Sequence, residues 1–186
     1  GTFDNGLGYG GGIYSIGNTG WLVNCTISGN QAAVPPLSSS GGVGGGVYAP
    51  EGALELHSTT LAFNLASTQA GGVSVGTNSL LRARNTIFAS NLAGINGSDF
   101  DGTLTSDGFN LMQATNAAVI VGETANNVLG QDALLGPLLG NGGPTLTHAL
   151  LPESPAIDAG ICGDLVTDQR GWPRPIDLPA ATNQAD

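Results

Sequence analysis

Two arginines and three aspartates have the residue types and spacing for chemistry on a sugar chain. Arg82 and Arg84 lie two residues apart in "SLLRARNTIFA", so a strand would place both on one face. The acids Asp99, Asp101 and Asp107 follow in "GSDFDGTLTSDG". A polysaccharide lyase needs acids that hold Ca²⁺ and a cationic base nearby. We favour the alternative, in which both arginines are solvated strand residues that make weak surface ion pairs.

The same three aspartates form a candidate Ca²⁺ loop. Carboxylates around a glycine-containing turn supply the oxygen ligands that this ion prefers. However, the spacing matches neither an EF-hand nor the nonapeptide repeat of calcium-binding β-rolls, and aspartate is common in turns without any metal. A Ca²⁺ site is therefore an alternative to a turn that binds no metal. No other cofactor is predicted.

Hydrolase chemistry has weaker support. Glycoside hydrolysis needs paired carboxylates across a groove, and the repeats described below hold only Glu51 and Glu55 before Asp99. His57 and His148 have no Ser or Cys near them in a triad arrangement, so each is interpreted as an ordinary strand or loop residue. We therefore predict no catalytic residue and a protein that is not an enzyme.

The elements that must position these side chains are repeats. "GGGIYSIGNTGWLVNCTISGNQA" at 10–32 returns as "GGGVYAPEGALELHSTTLAFNLA" at 44–66 and as "GGVSVGTNSLLRARNTIFASNLA" at 71–93. Their strand-like segments are short, rich in β-branched residues and bounded by Gly, Asn and Pro. Fixed strands joined by loops of variable length are typical of a solenoid. The pattern predicts an all-β chain that forms a parallel β-helix.

Alignment of the copies predicts which side chains are equivalent. Ile13, Val47 and Val73 are expected to stack inward, and one extra residue of the third copy is placed after Ile87. The alignment puts Thr26, Thr60 and Thr86 in water and Ile27, Leu61 and Ile87 in the core. It also predicts a ladder of asparagines, Asn30, Asn64 and Asn91, whose amides satisfy backbone groups at the turns.

Aromatic side chains give the chain a candidate binding surface. If Ile13 and Val47 point inward, Tyr14 and Tyr48 point outward and stack one repeat apart. With Trp21 nearby they would form a platform for a carbohydrate. The competing interpretation is that the C-terminal segment covers this tyrosine row.

Charge and composition exclude several partners. The 186 residues contain four Arg and no Lys, and the net charge is −10. Nucleic acid and anionic membrane surfaces are therefore disfavoured. No apolar run approaches the roughly 18 residues needed to span a bilayer. Cys25 and Cys162 match no metal-ligand spacing, and we expect them to remain separate.

The two ends of the repeat region need covers. From residue 134 the chain is rich in Pro and apolar without a period, so 1–133 is interpreted as the coils and 134–186 as an irregular cap on them. At the other end, an open first coil would leave strand groups unpaired and apolar side chains exposed. We expect further coils or a neighbouring copy to cover it, while a lid formed by Thr2–Leu7 is the alternative.

Several phrases resemble one family. "GGGIY…NCTISGNQA", "NTIFASNLAG…DGTLTSDGFNLM", "LGPLLGNGGPTLTHALLPESPAIDAG" and "TDQRGWPRP" are similar to the choice-of-anchor Q domain of bacterial surface proteins and to polymorphic outer-membrane protein repeats. The resemblance covers nearly the whole chain. It implies a right-handed parallel β-helix, an extracellular or cell-surface location, and a structural or adhesive role with other surface proteins as partners. A carbohydrate-binding or polysaccharide-degrading β-helix protein is the alternative.

Overall fold

The computed structural model describes residues 2–4, 7–32, 41–116 and 118–176, and in this part of the chain it is all-β with no helix. The strands are β1 (Thr2–Asp4), β2 (Leu7–Tyr9), β3 (Ile13–Tyr14), β4 (Thr19–Val23), β5 (Thr26–Ser28), β6 (Gln31–Ala32), β7 (Gly42–Val43), β8 (Val47–Ala49), β9 (Ala53–His57), β10 (Thr60–Ala62), β11 (Leu65–Ala66), β12 (Val73–Val75), β13 (Leu80–Arg84), β14 (Ile87–Ala89), β15 (Leu92–Ala93), β16 (Phe100–Asp107), β17 (Leu111–Met112), β18 (Ala118–Glu123), β19 (Val128–Leu129), β20 (Leu135–Leu139) and β21 (Thr147–Leu150).

Most strands pair in parallel with the equivalent strand of the next copy, and they form four rows. The first row is β3, β8, β12 and the start of β16, and the second is β4, β9, β13, the end of β16 and β18. The third is β5, β10, β14, β17 and β19, and the fourth is β6, β11 and β15. Because β16 belongs to two rows, the first and second rows join into one strongly curled eight-stranded sheet.

Alternating side chains explain why one face of each row is buried. In β9, Leu54 and Leu56 are buried, whereas the residues between and beside them are only partly so. β13 repeats this pattern with Leu81 and Ala83. Period-two alternation is what a strand with one buried face requires. The inward faces of the first three rows meet in one apolar core.

Ile13, Val47 and Val73 lie at or in this core, as predicted. Ile13 pairs in register with Val47, and Val47 with Val73. Val47 and Val73 are fully buried, while Ile13 is partly buried and packs against the core. The difference arises because β3 has a paired strand on one side only within the described residues.

The predicted register of the third copy is wrong by one residue in the third row. Thr60 pairs with Ile87 and Leu61 pairs with Phe88. Phe88 is therefore the buried residue, and Ile87 is partly buried on the other face. The pairing of β8 with β12 does not include the extra residue, whereas the pairing of β9 with β13 does. The extra residue therefore lies in the loop before β13. A loop can absorb an insertion without disturbing the hydrogen bonds of a strand.

Thr86 is consequently not in water. It is fully buried at the corner that precedes β14, where its Oγ1 donates to the Leu56 carbonyl at 3.3 Å and to the Arg84 carbonyl at 3.0 Å. Thr26 and Thr60 are partly buried on the outer face of the third row. The one-residue shift therefore moves a polar side chain inside and an apolar one outside.

The C-terminal segment, 134–176 as described, covers the outer face of the third row. It contains an antiparallel hairpin, β20–β21, and then an irregular stretch. A second apolar core forms beneath it from Ala89, Leu111, Val128, Ala133 and Ala159. The predicted cap therefore lies along the side of the stack and reaches β5, where Thr26 Oγ1 donates to Gln169 Oε1 at 2.7 Å. Residues 177–186 of the predicted cap lie outside the described residues.

At the N-terminal end, β1 folds back on β2 in antiparallel register, and β2 pairs with β7 in parallel. β1 therefore folds back, as the alternative of a Thr2–Leu7 lid expects. The hairpin and β7 together form a three-stranded sheet. Within the described residues, no strand pairs with the outer edges of β3, β4 and β5.

Candidate functional site

The predicted asparagines form a hydrogen-bonded row between the third and fourth rows. Asn30 Nδ2 donates to Asn64 Oδ1 at 3.0 Å, and Asn64 Nδ2 donates to Asn91 Oδ1 at 2.9 Å. The backbone N–H groups of Asn30 and Asn64 donate to the same two oxygens. Each asparagine follows a residue with positive φ, namely Gly29, Phe63 or Ser90. The left-handed corner turns the next N–H along the stack, where a side-chain oxygen accepts it.

Asp99 ends this ladder. Its Oδ1 accepts from Asn91 Nδ2 at 2.9 Å, and its Oδ2 accepts from the backbone N–H of Ala114 at 2.7 Å. The Asp99 side chain is fully buried, and this burial raises the pKa of its carboxyl although the hydrogen bonds oppose the shift. Asp99 therefore serves as an acceptor inside the fold.

The structure does not bring the three predicted Ca²⁺ ligands together. Asp99 is bonded to the ladder, Asp101 is partly buried on β16, and Asp107 is paired with Arg82. The Arg82 guanidinium donates from Nη2 to Asp107 Oδ1 at 2.6 Å and from Nε to Asp107 Oδ2 at 3.1 Å. Within the ranges that the structure describes, no group of three or more His, Cys, Asp or Glu side chains is placed to hold a metal ion.

A second polar row, which the sequence reasoning missed, lies between the second and third rows of strands. Its members Thr59, Thr86 and Asn110 each donate a side-chain bond to a carbonyl of the preceding copy, respectively Leu22, Leu56 and Ala83. Asn127 Oδ1 then accepts from the backbone N–H of Asn110 at 3.0 Å. In the structure Ser58, Asn85 and Phe109 precede these residues and also have positive φ, so among these three only the residue type of Asn85 could have indicated such a corner. Asn is enriched in that conformation, but Phe and Ser are not obvious markers of it.

His148 has a serine partner that the sequence reasoning did not identify. Ser28 Oγ lies 2.8 Å from His148 Nε2, and His148 Nδ1 lies 2.7 Å from the Gly136 carbonyl. This is a Ser–His pair from residues 120 positions apart, on β5 and β21. The N–H of Gly29, the nearest candidate to stabilise an oxyanion beside Ser28, donates to the Ala62 carbonyl instead. The contact therefore attaches the hairpin to the third row.

The tyrosines come together on the outer face of the first row, and Trp21 does not join them. The Tyr14 and Tyr48 rings are 5.8 Å apart and tilted, while Tyr9 stacks on Tyr48 at 5.1 Å. Burial raises the pKa of Tyr48, and its tyrosine neighbours add to the shift. Trp21 lies on β4 in the second row and is 64% exposed beside an open hollow.

The expected cover of the tyrosine row is not seen in the described part of the C-terminal segment, which contacts the third row. Tyr14 remains 39% exposed.

The two cysteines are both free, as predicted: Cys25 is partly buried and Cys162 is exposed.

The arginines of β13 have different surroundings. Arg82 is exposed and paired with Asp107, whereas Arg84 lines a pocket with His57, Ser58 and Arg174.

No described helix is long and apolar enough to cross a membrane. Comparisons of the chain with protein-family models, curated proteins and solved structures found no match.

Proposed function

We propose that the four parallel rows are the faces of a right-handed parallel β-helix. Support comes from the registers, because each strand of one copy pairs with the equivalent strand of the next in all four rows. The two polar ladders run along the stack at two successive corners. Stacked coils with identical corners are what a solenoid produces.

We further propose that this β-helix is a non-enzymatic structural or adhesive module at the extracellular surface of a bacterium, of the choice-of-anchor Q type. The observation that carries the proposal is the use of the predicted reactive groups as structural contacts. Asp99 ends a ladder, and Arg82 is paired with Asp107. Both groups are held by contacts within the protein, which supports a structural role for them.

Such a module can associate end to end. At one end β4 and β5, and at the other β18 and β19, present strand edges with no partner within the described residues. These edges belong to the same second and third rows, so the end of one copy matches the start of another in strand direction. Unpaired strand edges are templates for pairing between chains, and head-to-tail contacts generate filaments unless they close.

A carbohydrate-binding module is the second candidate, favoured by the cluster of Tyr9, Tyr14 and Tyr48. Aromatic rings that share an exposed face supply apolar area to a sugar ring. Tyr14 and Tyr48 occupy equivalent positions on β3 and β8, so their spacing is set by the strand pairing.

Incubation with a panel of acidic and neutral polysaccharides separates these functions. A structural module is expected to release no product and to give the same result after Tyr14→Ala and Tyr48→Ala. Sugar retention that these two changes abolish, without product, indicates the binding module. Sustained product release that Arg84→Gln or Ser28→Ala abolishes would contradict the non-enzymatic proposal.

A further inference from the structure

A pocket of about 210 Å³ lies where the C-terminal segment crosses the ends of the second-row strands. Val23, His57 and Arg84 line one side, and they are register partners at the ends of β4, β9 and β13. The C-terminal segment lines the other side with Ile161, Gly163, Asp164, Leu165 and Arg174. The pocket therefore exists only when the segment is docked.

Two of the chain's four cations line this pocket. The other two are neutralised, since Arg82 is paired with Asp107, and Arg170 with Asp168 at 2.7 Å. Arg84 and Arg174 have no carboxylate within ion-pair distance among the described residues. In a protein with a net charge of −10, two unneutralised guanidinium groups in one pocket are a marked local reversal of charge.

Both guanidinium groups retain unused donors. The Nε atoms of Arg84 and Arg174 are buried and have no hydrogen-bond partner among the residues that the structure describes. Arg174 is held in place because its Nη1 donates to Ser58 Oγ at 3.2 Å and its Nη2 to Asn24 Oδ1 at 3.1 Å. A buried polar group without a partner carries a desolvation cost that a bound acceptor removes.

The pocket wall leaves room beside Arg84. Gly163 has no side chain there, and a Cβ built on it would lie 4.0 Å from Arg84 Nη1. Asn85 fixes this wall, since its Nδ2 donates to the Ile161 carbonyl at 2.7 Å and its Oδ1 accepts from the Ile161 N–H at 3.0 Å. Asp164 also lines the pocket, but it is exposed and beyond ion-pair distance of both arginines.

We infer that this pocket binds an oxyanion, a carboxylate or sulfate group, between Arg84 and Arg174. The planar fork of a guanidinium group matches the two oxygens of such a group, and charge-assisted bonds of this kind are stronger than neutral ones. The other polar residues that line the pocket are His57, Ser58, Asn85 and Asp164. The oxyanion is either a free ion or a group on an acidic polysaccharide, and the site does not depend on whether the module is structural.

Titration with inorganic sulfate, galacturonate and polygalacturonate, followed by calorimetry and by amide NMR, tests this site. We expect all three to bind the wild-type chain and to shift the amide signals of residues 161–165. Arg84→Gln is expected to weaken binding about tenfold or more, which corresponds to the loss of one charge-assisted contact. Arg82→Gln is the matched control, because Arg82 lies on the same strand outside the pocket, and its affinity should be unchanged. Thermal unfolding of each variant verifies that it is folded.

The comparison of ligands identifies the source of the oxyanion. Binding of polygalacturonate that is much tighter per chain than that of galacturonate assigns the site to a polysaccharide, while equal binding assigns it to a free ion; both support the site. Absence of binding to the wild-type chain, or equal affinity in Arg84→Gln, would overturn it.

Discussion

Asp99 is a single residue on which several polar contacts converge. It replaces the amide that a fourth asparagine would supply, and it accepts from both Asn91 and Ala114. A carboxylate can do this because both of its oxygens are acceptors, whereas an amide presents an N–H₂ group on one side. The consequence is a buried acid whose desolvation is only partly offset by its hydrogen bonds.

We predict that Asp99 makes the stability of the fold depend on pH. Because the folded-state pKa of Asp99 is raised, its contribution is fully present below the ordinary carboxyl pKa, about 3.9, and is lost as pH rises through the folded-state value. Asp99→Asn cannot ionise. Relative to wild type, the free energy of unfolding of Asp99→Asn should therefore rise with pH by at most about 1.4 kcal/mol per unit between those two pKa values.

Chemical denaturation at a series of pH values measures this difference, and a carboxyl ¹³C titration of Asp99 by NMR locates the folded-state pKa independently. Parallel stability profiles for the two proteins, together with an Asp99 carboxyl that titrates at or below 3.9, would contradict the prediction.

The C-terminal segment is an element whose position depends on the corner residues of the coils. Asn24 Nδ2 donates to the Thr167 carbonyl, Ser58 accepts from Arg174, and Asn85 makes two bonds to Ile161. The left-handed corners expose these side chains on the outside of the stack in register. The same corners that turn the chain therefore anchor the segment, and they lie in three successive copies.

Asn85→Gly is expected to release this segment locally. Glycine keeps the positive φ of 51° at no steric cost but removes both bonds to Ile161. At about 0.5–1.5 kcal/mol for each hydrogen bond, the loss should be about 1–3 kcal/mol of unfolding free energy. Hydrogen exchange at the Ile161 amide should accelerate accordingly.

The control is Ser90→Gly, which also has a positive φ, at 55°, and whose side chain contacts Gln113 and not the segment. Unchanged exchange at Ile161 in Asn85→Gly, or an equal acceleration in Ser90→Gly, would show that Asn85 does not hold the segment.

On the scale of the whole molecule, the proposed end-to-end association would use the open edge of β4, which has no paired strand among the described residues. The N–H of Asn24 donates to the His57 carbonyl on β9 at 3.0 Å. In a parallel ladder alternate residues face opposite neighbours, so the N–H of Trp21 points to the open edge. Proline has no N–H and is tolerated at strand edges.

Trp21→Pro is therefore expected to reduce end-to-end association without unfolding the chain, and Trp21→Ala is the matched control because it removes the same side chain but keeps the N–H. Light scattering over a dilution series should show larger species for wild type and Trp21→Ala than for Trp21→Pro. A wild-type chain that is monomeric at all concentrations would contradict the association.

The sequence by itself determined the features that depend on local pattern. Alternation identified the inward Val47 and Val73, and alignment of the copies located Asn64 and Asn91, because the strand period and the repeated Asn are local features of the sequence. Only the tertiary structure decided how distant parts meet. The loop before β13 absorbed an inserted residue, so Phe88 is buried where Ile87 was expected. Ser28 with His148, and Arg84 with Arg174, came together because the C-terminal segment docked along the side of the stack. Such contacts depend on the path of the segment over the whole fold, and no local spacing encodes that path.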